Sequence, residues 1–63
     1  RLLKLTDPMM FGEDIKFVQR FNGVTADGWY GSDTAASVRR FQAFHGLVLD
    51  GEVGPLTWAK YLG

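Results

Sequence analysis

Two carboxylates stand in matching surroundings: Asp27 in Asp27-Gly28-Trp29-Tyr30-Gly31 and Asp50 in Asp50-Gly51-Glu52-Val53-Gly54. Glycoside hydrolysis uses a pair of carboxylates, one of them an acid whose pKa is raised by its surroundings. Neither sequence context supplies such a shift. Equivalent aspartates ahead of equivalent glycines have a simpler task, because an Asp at a turn accepts hydrogen bonds from the backbone N–H groups just ahead of it. The one histidine, His45, has no triad partner, and in a chain without cysteine it has no companions for a metal site. The expectation is a chain with no catalytic residue, no metal and no cofactor.

Residues suited to binding emerge when the chain is compared with itself. Val18–Ala36 aligns with Phe41–Ala59 at an offset of 23 residues, with eight identities in nineteen columns, too many for chance. The identities are Gln19/Gln42, Phe21/Phe44, Gly23/Gly46, Asp27/Asp50, Gly28/Gly51, Gly31/Gly54, Thr34/Thr57 and Ala36/Ala59. Shared positions serve turns, caps and core, so ligand contacts should break the match. Trp29 faces Glu52 across it, and two readings stand level: an exposed indole that stacks on a sugar ring, or a cover over a small core. Tyr30 faces Val53, so its ring should pack inward with the hydroxyl at the surface. Arg39 and Arg40 could pair bidentately with carboxylates, against the preferred reading of a solvated helical face. Phe17, opposite Arg40 in the match, is either a core edge or a second aromatic contact, the core edge being preferred.

The elements that must hold these residues follow from the glycines. Gly23 and Gly46 stand where a helix turns off its axis at positive φ, which glycine does without a Cβ clash. Pro55 fits a first helical position, and its match Ser32 falls at the same place, leaving Gly31 and Gly54 as the N-caps. Three helices result, about Glu13 to Asn22, Ser32 to His45 and Pro55 to Leu62. Their expected inner faces are Ile15, Val18 and Phe21; Val38, Phe41 and Phe44; and Trp58, Tyr61 and Leu62. Leu3 and Leu5 alternate with polar neighbours and should lay an extended segment across the bundle. The expected fold is all-α, a small three-helix bundle of two matched units with Asp-Gly-x-x-Gly loops.

Sixty-three residues make one domain, residues 1–63, and a chain this short buries only about 60% of its unfolded surface. With 46% hydrophobic residues and no cysteine, its core must come from packing alone. Seven Lys plus Arg balance seven Asp plus Glu, so the summed charge gives little attraction to nucleic acid or to an anionic membrane. No apolar run approaches the ~20 residues of a membrane span.

The chain resembles the type 1 peptidoglycan-binding domains of phage endolysins, amidases, carboxypeptidases and spore-cortex lytic enzymes. The likeness rests on Gly12-Glu13-Asp14-Ile15 with Val18-Gln19, on Asp27-Gly28-Trp29-Tyr30-Gly31 with Thr34, on Val38-Arg39-Arg40-Phe41-Gln42, and on Gly46 through Trp58. It implies a monomeric three-helix module that binds peptidoglycan, by glycan, stem peptide or both, at the bacterial cell wall or in the periplasm. It also implies an attached catalytic domain, with this chain a fragment of a larger wall-lytic protein. Met9, Met10 and Phe11 add more bulk before Gly12 than such domains usually carry, either to cover the bundle or to pack on the catalytic domain. Trp29, Tyr30, Arg39, Arg40 and Phe17 are the candidate contacts. A protein-interaction or virion structural domain on the same fold is the alternative. A helix-turn-helix DNA binder is disfavoured by zero net charge.

Overall fold

The computed structural model describes all residues, Arg1–Gly63, and contains three helices: α1 Glu13–Asn22, α2 Ser32–Phe44 and α3 Pro55–Leu62. Each helix starts after a glycine, Gly12, Gly31 or Gly54, with no side-chain cap, and Pro55 opens α3 where its missing N–H costs nothing. Gly23 leaves α1 in the left-handed region at φ 73°, and its N–H returns to the Arg20 carbonyl. α2 stops at Phe44, one residue before the expected end. His45 is the cap, and Gly46 at φ 68° makes the turn.

The inner faces are narrower than the sequence suggests. Ile15 and Val18 are buried on α1, Val38 on α2 and Tyr61 on α3, with Phe41 and Trp58 packed partly against them. Phe21 is 54% exposed, Phe44 86% and Leu62 71%, so the third residue of each expected face lies outside. Helix geometry supplies the reason for Phe21 and Phe44. With 3.6 residues per turn, a step of three falls about 60° short of a full turn, and two such steps carry a side chain about 120° around. The step of four stays inside, and it brings in Gln19 and Gln42, both about 1% exposed.

These two amides are the polar centre of the fold. The Gln19 amide nitrogen donates to Asp27 Oδ1 (3.0 Å), the Trp29 carbonyl (3.0 Å) and Thr34 Oγ1 (2.9 Å), while its oxygen accepts from the Gly28 N–H (2.9 Å). Gln42 makes the corresponding bonds to Asp50 (2.9 Å), the Glu52 carbonyl (2.8 Å), Thr57 (3.2 Å) and the Gly51 N–H (3.0 Å). Each loop thereby gains the backbone partners that a helix or sheet would otherwise supply. No buried side-chain nitrogen or oxygen lacks a partner.

The N-terminal segment closes the bundle. Leu3 is fully buried and pairs antiparallel with Val53, its N–H donating to the Val53 carbonyl at 3.2 Å and its carbonyl accepting at 2.7 Å. The Trp58 indole N–H donates to the Arg1 carbonyl at 2.8 Å, and the Arg1 guanidinium binds Asp14 at 2.8 Å and the Phe11 carbonyl. Leu5, by contrast, remains exposed. Residues Met10 to Gly12 lie along the loop before α2: Gly12 N–H donates to the Gly28 carbonyl and Tyr30 N–H to the Met10 carbonyl. Met10 packs on the core and Phe11 lies tilted against Trp29 at a ring separation of 4.7 Å, while Met9 and Phe11 stay about half exposed.

Candidate functional site

Asp27 shows how the loop between α1 and α2 is set. Its Oδ1 accepts from the Trp29 N–H two residues ahead (3.0 Å) and from the Gln19 amide. The backbone bond, then the amide, holds the Asp27 carboxyl below the ordinary carboxylate range. Asp50 is held low in the same way by the Glu52 N–H and Gln42. Both aspartates are therefore turn-formers that stay ionised, the opposite of what a catalytic acid needs.

With the turn fixed, the loop and α2 enclose an open groove of about 710 Å³. That volume lies within the range of small-molecule sites. One wall is Val24, Thr25, Asp27 and Trp29 from the loop; the other is Ser32, Asp33, Ala36 and Arg40 from α2, with Met9 at the rim over Gly31. Trp29 is 46% exposed. One part of its ring meets Phe11, itself half exposed, and the rest is open.

A second groove of about 240 Å³ lies beside the loop between α2 and α3, lined by Leu47, Val48, Asp50, Glu52, Gly54, Pro55, Leu56 and Thr57. Every one of these residues stands 23 positions after a residue that lines the first groove. Asp, Gly and Thr are common to both, and they are the residues that build or cap the loop. What differs is the chemistry offered to a ligand. Thr25, Trp29, Ser32 and Asp33 in the first groove correspond to Val48, Glu52, Pro55 and Leu56 in the second. The first groove presents an indole, two hydroxyls and a carboxylate; the second is largely apolar.

Of the five side chains singled out from the sequence, only Trp29 and Arg40 line this groove. Tyr30 is fully buried, and its hydroxyl donates to the Gly51 carbonyl at 2.6 Å instead of reaching the surface. It ties one loop to the other and offers a ligand no surface. Burial pushes its pKa well above the ordinary tyrosine value. Arg39, one residue round α2, lies over the backbone of Gly51. Phe17 sits on α1 among Phe21, Trp58 and Tyr61, with ring separations of 6.2 to 6.5 Å, on an aromatic face outside the groove. Thr25, Ser32 and Asp33 were missed. The same comparison of matched segments that flagged Trp29 against Glu52 also sets Ser32 against Pro55 and Asp33 against Leu56.

No helix is long and apolar enough to cross a membrane. Residues 12–60 match the family described as "Putative peptidoglycan binding domain". Among curated proteins the chain is similar to a "Probable N-acetylmuramoyl-L-alanine amidase" of Bacillus licheniformis, 36% identical over 97% of this chain and 21% of that protein. It is likewise similar to N-acetylmuramoyl-L-alanine amidase CwlL of the same organism, 36% identical over 94% of this chain and 20% of the relative. An "Uncharacterized protein" of Kitasatospora aureofaciens is 52% identical over 64% of this chain and 34% of its own length. The chain thus spans between about a fifth and a third of the relatives it matches. No solved structure matches it at a significant level. Three helices joined by two amide-braced Asp-Gly loops, with the family match running from the cap of α1 into α3, place this chain in the family of peptidoglycan-binding domains.

Proposed function

We propose that this chain is a non-catalytic module that binds bacterial peptidoglycan in the groove between the first loop and α2, and thereby holds an attached murein hydrolase on its substrate. The family match over residues 12–60 carries the reading, and the polar groove lies wholly within that span apart from Met9 at its rim. The two Bacillus relatives are amidases by name, which favours a cell-wall amidase as the attached enzyme over a peptidase or a phage endolysin. The module would work at the cell wall, as one domain and as a monomer. Its mechanism is effective concentration: on an insoluble polymer, a tethered enzyme meets cleavable bonds at high local density even when each single contact is weak.

Within the groove, the open part of the Trp29 ring suits the apolar face of a pyranose, and Arg40 suits a carboxylate. Arg39, Tyr30 and Phe17 act as framework. The isolated chain is expected to co-sediment with purified sacculi and to release no reducing ends or soluble fragments from them. Trp29→Ala should weaken this binding by about 1–3 kcal/mol, the size of an aromatic stacking contact on another polymer. Loss of the Phe11 contact should cost only about 0.5–1.5 kcal/mol of stability. Unchanged sedimentation of a folded Trp29→Ala variant would remove Trp29 from the site, and failure of the parent to sediment would overturn the reading.

A further inference from the structure

We propose that the groove recognises the peptide stems of peptidoglycan rather than its sugar chain, reading a zwitterionic segment with an ammonium at Asp33 and a carboxylate at Arg40. The inference rests on the wall-binding reading above and specifies its ligand.

Asp33 and Arg40 both line the groove, both are exposed, and neither takes part in an ion pair. Seven residues apart on one helix, they sit on nearly the same face and about 10 Å apart along its axis. That is beyond the i,i+3 and i,i+4 distances at which helical side chains neutralise one another. The two charges are therefore left for something that spans them. Asp27, ionised on the loop wall, adds negative charge to the same groove.

Comparison of the two grooves separates this arrangement from the needs of the fold. The counterparts of Asp33 and Arg40 are Leu56 and Gly63, so α3 takes its place in the bundle with neither charge. A peptide stem offers an ammonium on its diamino acid and a carboxylate at its end, and about three extended residues of stem span the roughly 10 Å between the two side chains. The sugar chain offers hydroxyls and amides, with a carboxylate on the muramic acid only where a stem is missing, and no cation at all, so it leaves Asp33 without a partner. Trp29, beside this charged line, packs against the aliphatic part of the stem or the sugar that carries it.

The test titrates the 63-residue chain with three soluble probes, followed by calorimetry, alongside co-sedimentation with intact sacculi. The probes are a free stem peptide with an unblocked diamino acid, the same peptide with that amine acetylated, and glycan strands stripped of their stems with the exposed lactyl carboxylates capped as amides. The free stem should bind. Acetylation or removal of the stems should each weaken binding at least about tenfold, a change typical of one lost charge-assisted hydrogen bond. Asp33→Asn should abolish the discrimination against the acetylated peptide, and Arg40→Gln should weaken all stem binding, each with a melt close to the parent's. Equal binding of stripped glycan and free stem, or parent-like affinity in both variants, would overturn the proposal. The sacculus arm separates the two readings: a parent that pellets with sacculi but ignores free stems leaves wall binding standing and the stem inference refuted. The chemically altered probes act on the unmodified chain, so the test does not depend on any variant folding.

Discussion

Gln42 braces a whole loop through one amide, and its chemistry cannot be exchanged for a near neighbour in shape. In Gln42→Glu the nitrogen that donates to Asp50, the Glu52 carbonyl and Thr57 becomes an oxygen facing a carboxylate and a carbonyl, with only the Thr57 hydroxyl able to turn and donate to it. At about 1 kcal/mol per lost bond plus the cost of burying the new group, a loss of roughly 2–4 kcal/mol is expected. That is a large part of a margin of about 3–9 kcal/mol for a chain of this size, and circular dichroism melting should show it. Acid should act on the other side of the same bonds. Asp27 and Asp50 have pKa values lowered in the fold by their loop N–H groups, and Asp14 has one lowered by the Arg1 guanidinium. Carboxylates depressed in this way stabilise the fold above their unfolded values near 4, and that stability is lost as the pH falls through the lower folded values. The melting temperature should therefore hold level from neutrality to about pH 5 and drop below about pH 4, less steeply in Asp27→Asn, as scanning at a series of pH values would reveal. The aspartates were legible from sequence because a turn before glycine is a local device. The glutamines showed only as an identity between matched segments. Their part was hidden because a pattern of apolar residues assigns polar ones to the outside, and only the packed fold shows a satisfied amide within.

Helix boundaries were written in glycine and proline, so α1 and α3 read off the sequence with their observed ends, while α2 overran by His45. What the pattern did not fix was which way each helix faces, since residues three apart drift around the axis and left Phe21 and Phe44 outside. The turns that end the helices make their own prediction. An added Cβ at Gly23 or Gly46 would meet nothing within 4 Å, so Gly23→Ala and Gly46→Ala test backbone conformation without a clash. Each should cost about 1–2 kcal/mol, the left-handed penalty of a residue with a Cβ. Gly28→Ala should cost more, because the Cβ there would also lie 2.8 Å from the Phe11 ring at φ +84°. Chemical denaturation of the three variants would rank them, and equal stabilities would place the strain elsewhere.

Across the whole molecule, Leu3 joins a core whose other members lie ten or more residues further on, and it does so from outside the span that matches the family. Leu3→Ala should cost about 2–5 kcal/mol, and a chain shortened to begin at Gly12 should fail to show a cooperative melt. An extended segment across the bundle was legible from the alternation of Leu3 and Leu5, although only Leu3 is buried and Leu5 stays exposed. Its pairing with Val53 was not, because a contact fifty residues distant leaves no local pattern. The groove was legible in part for a related reason: Trp29 stood out against Glu52 and the seven-residue spacing sets Asp33 and Arg40 on one face of α2, whereas the meeting of that face with the Trp29 wall depends on how α2 lies beside the loop. The bond from the Tyr30 hydroxyl to the Gly51 carbonyl has one more consequence. In stacked arrays of matched units, each unit can open while its neighbours stay closed, and melting spreads along the chain. Here the first loop is fastened into the second, Asn22 at the end of α1 is bonded to the Tyr61 hydroxyl in α3, and the segment around Leu3 is paired beside Val53. Neither half can open without breaking the other's buried bonds, so the two units must melt as one, and the groove is either wholly formed or absent.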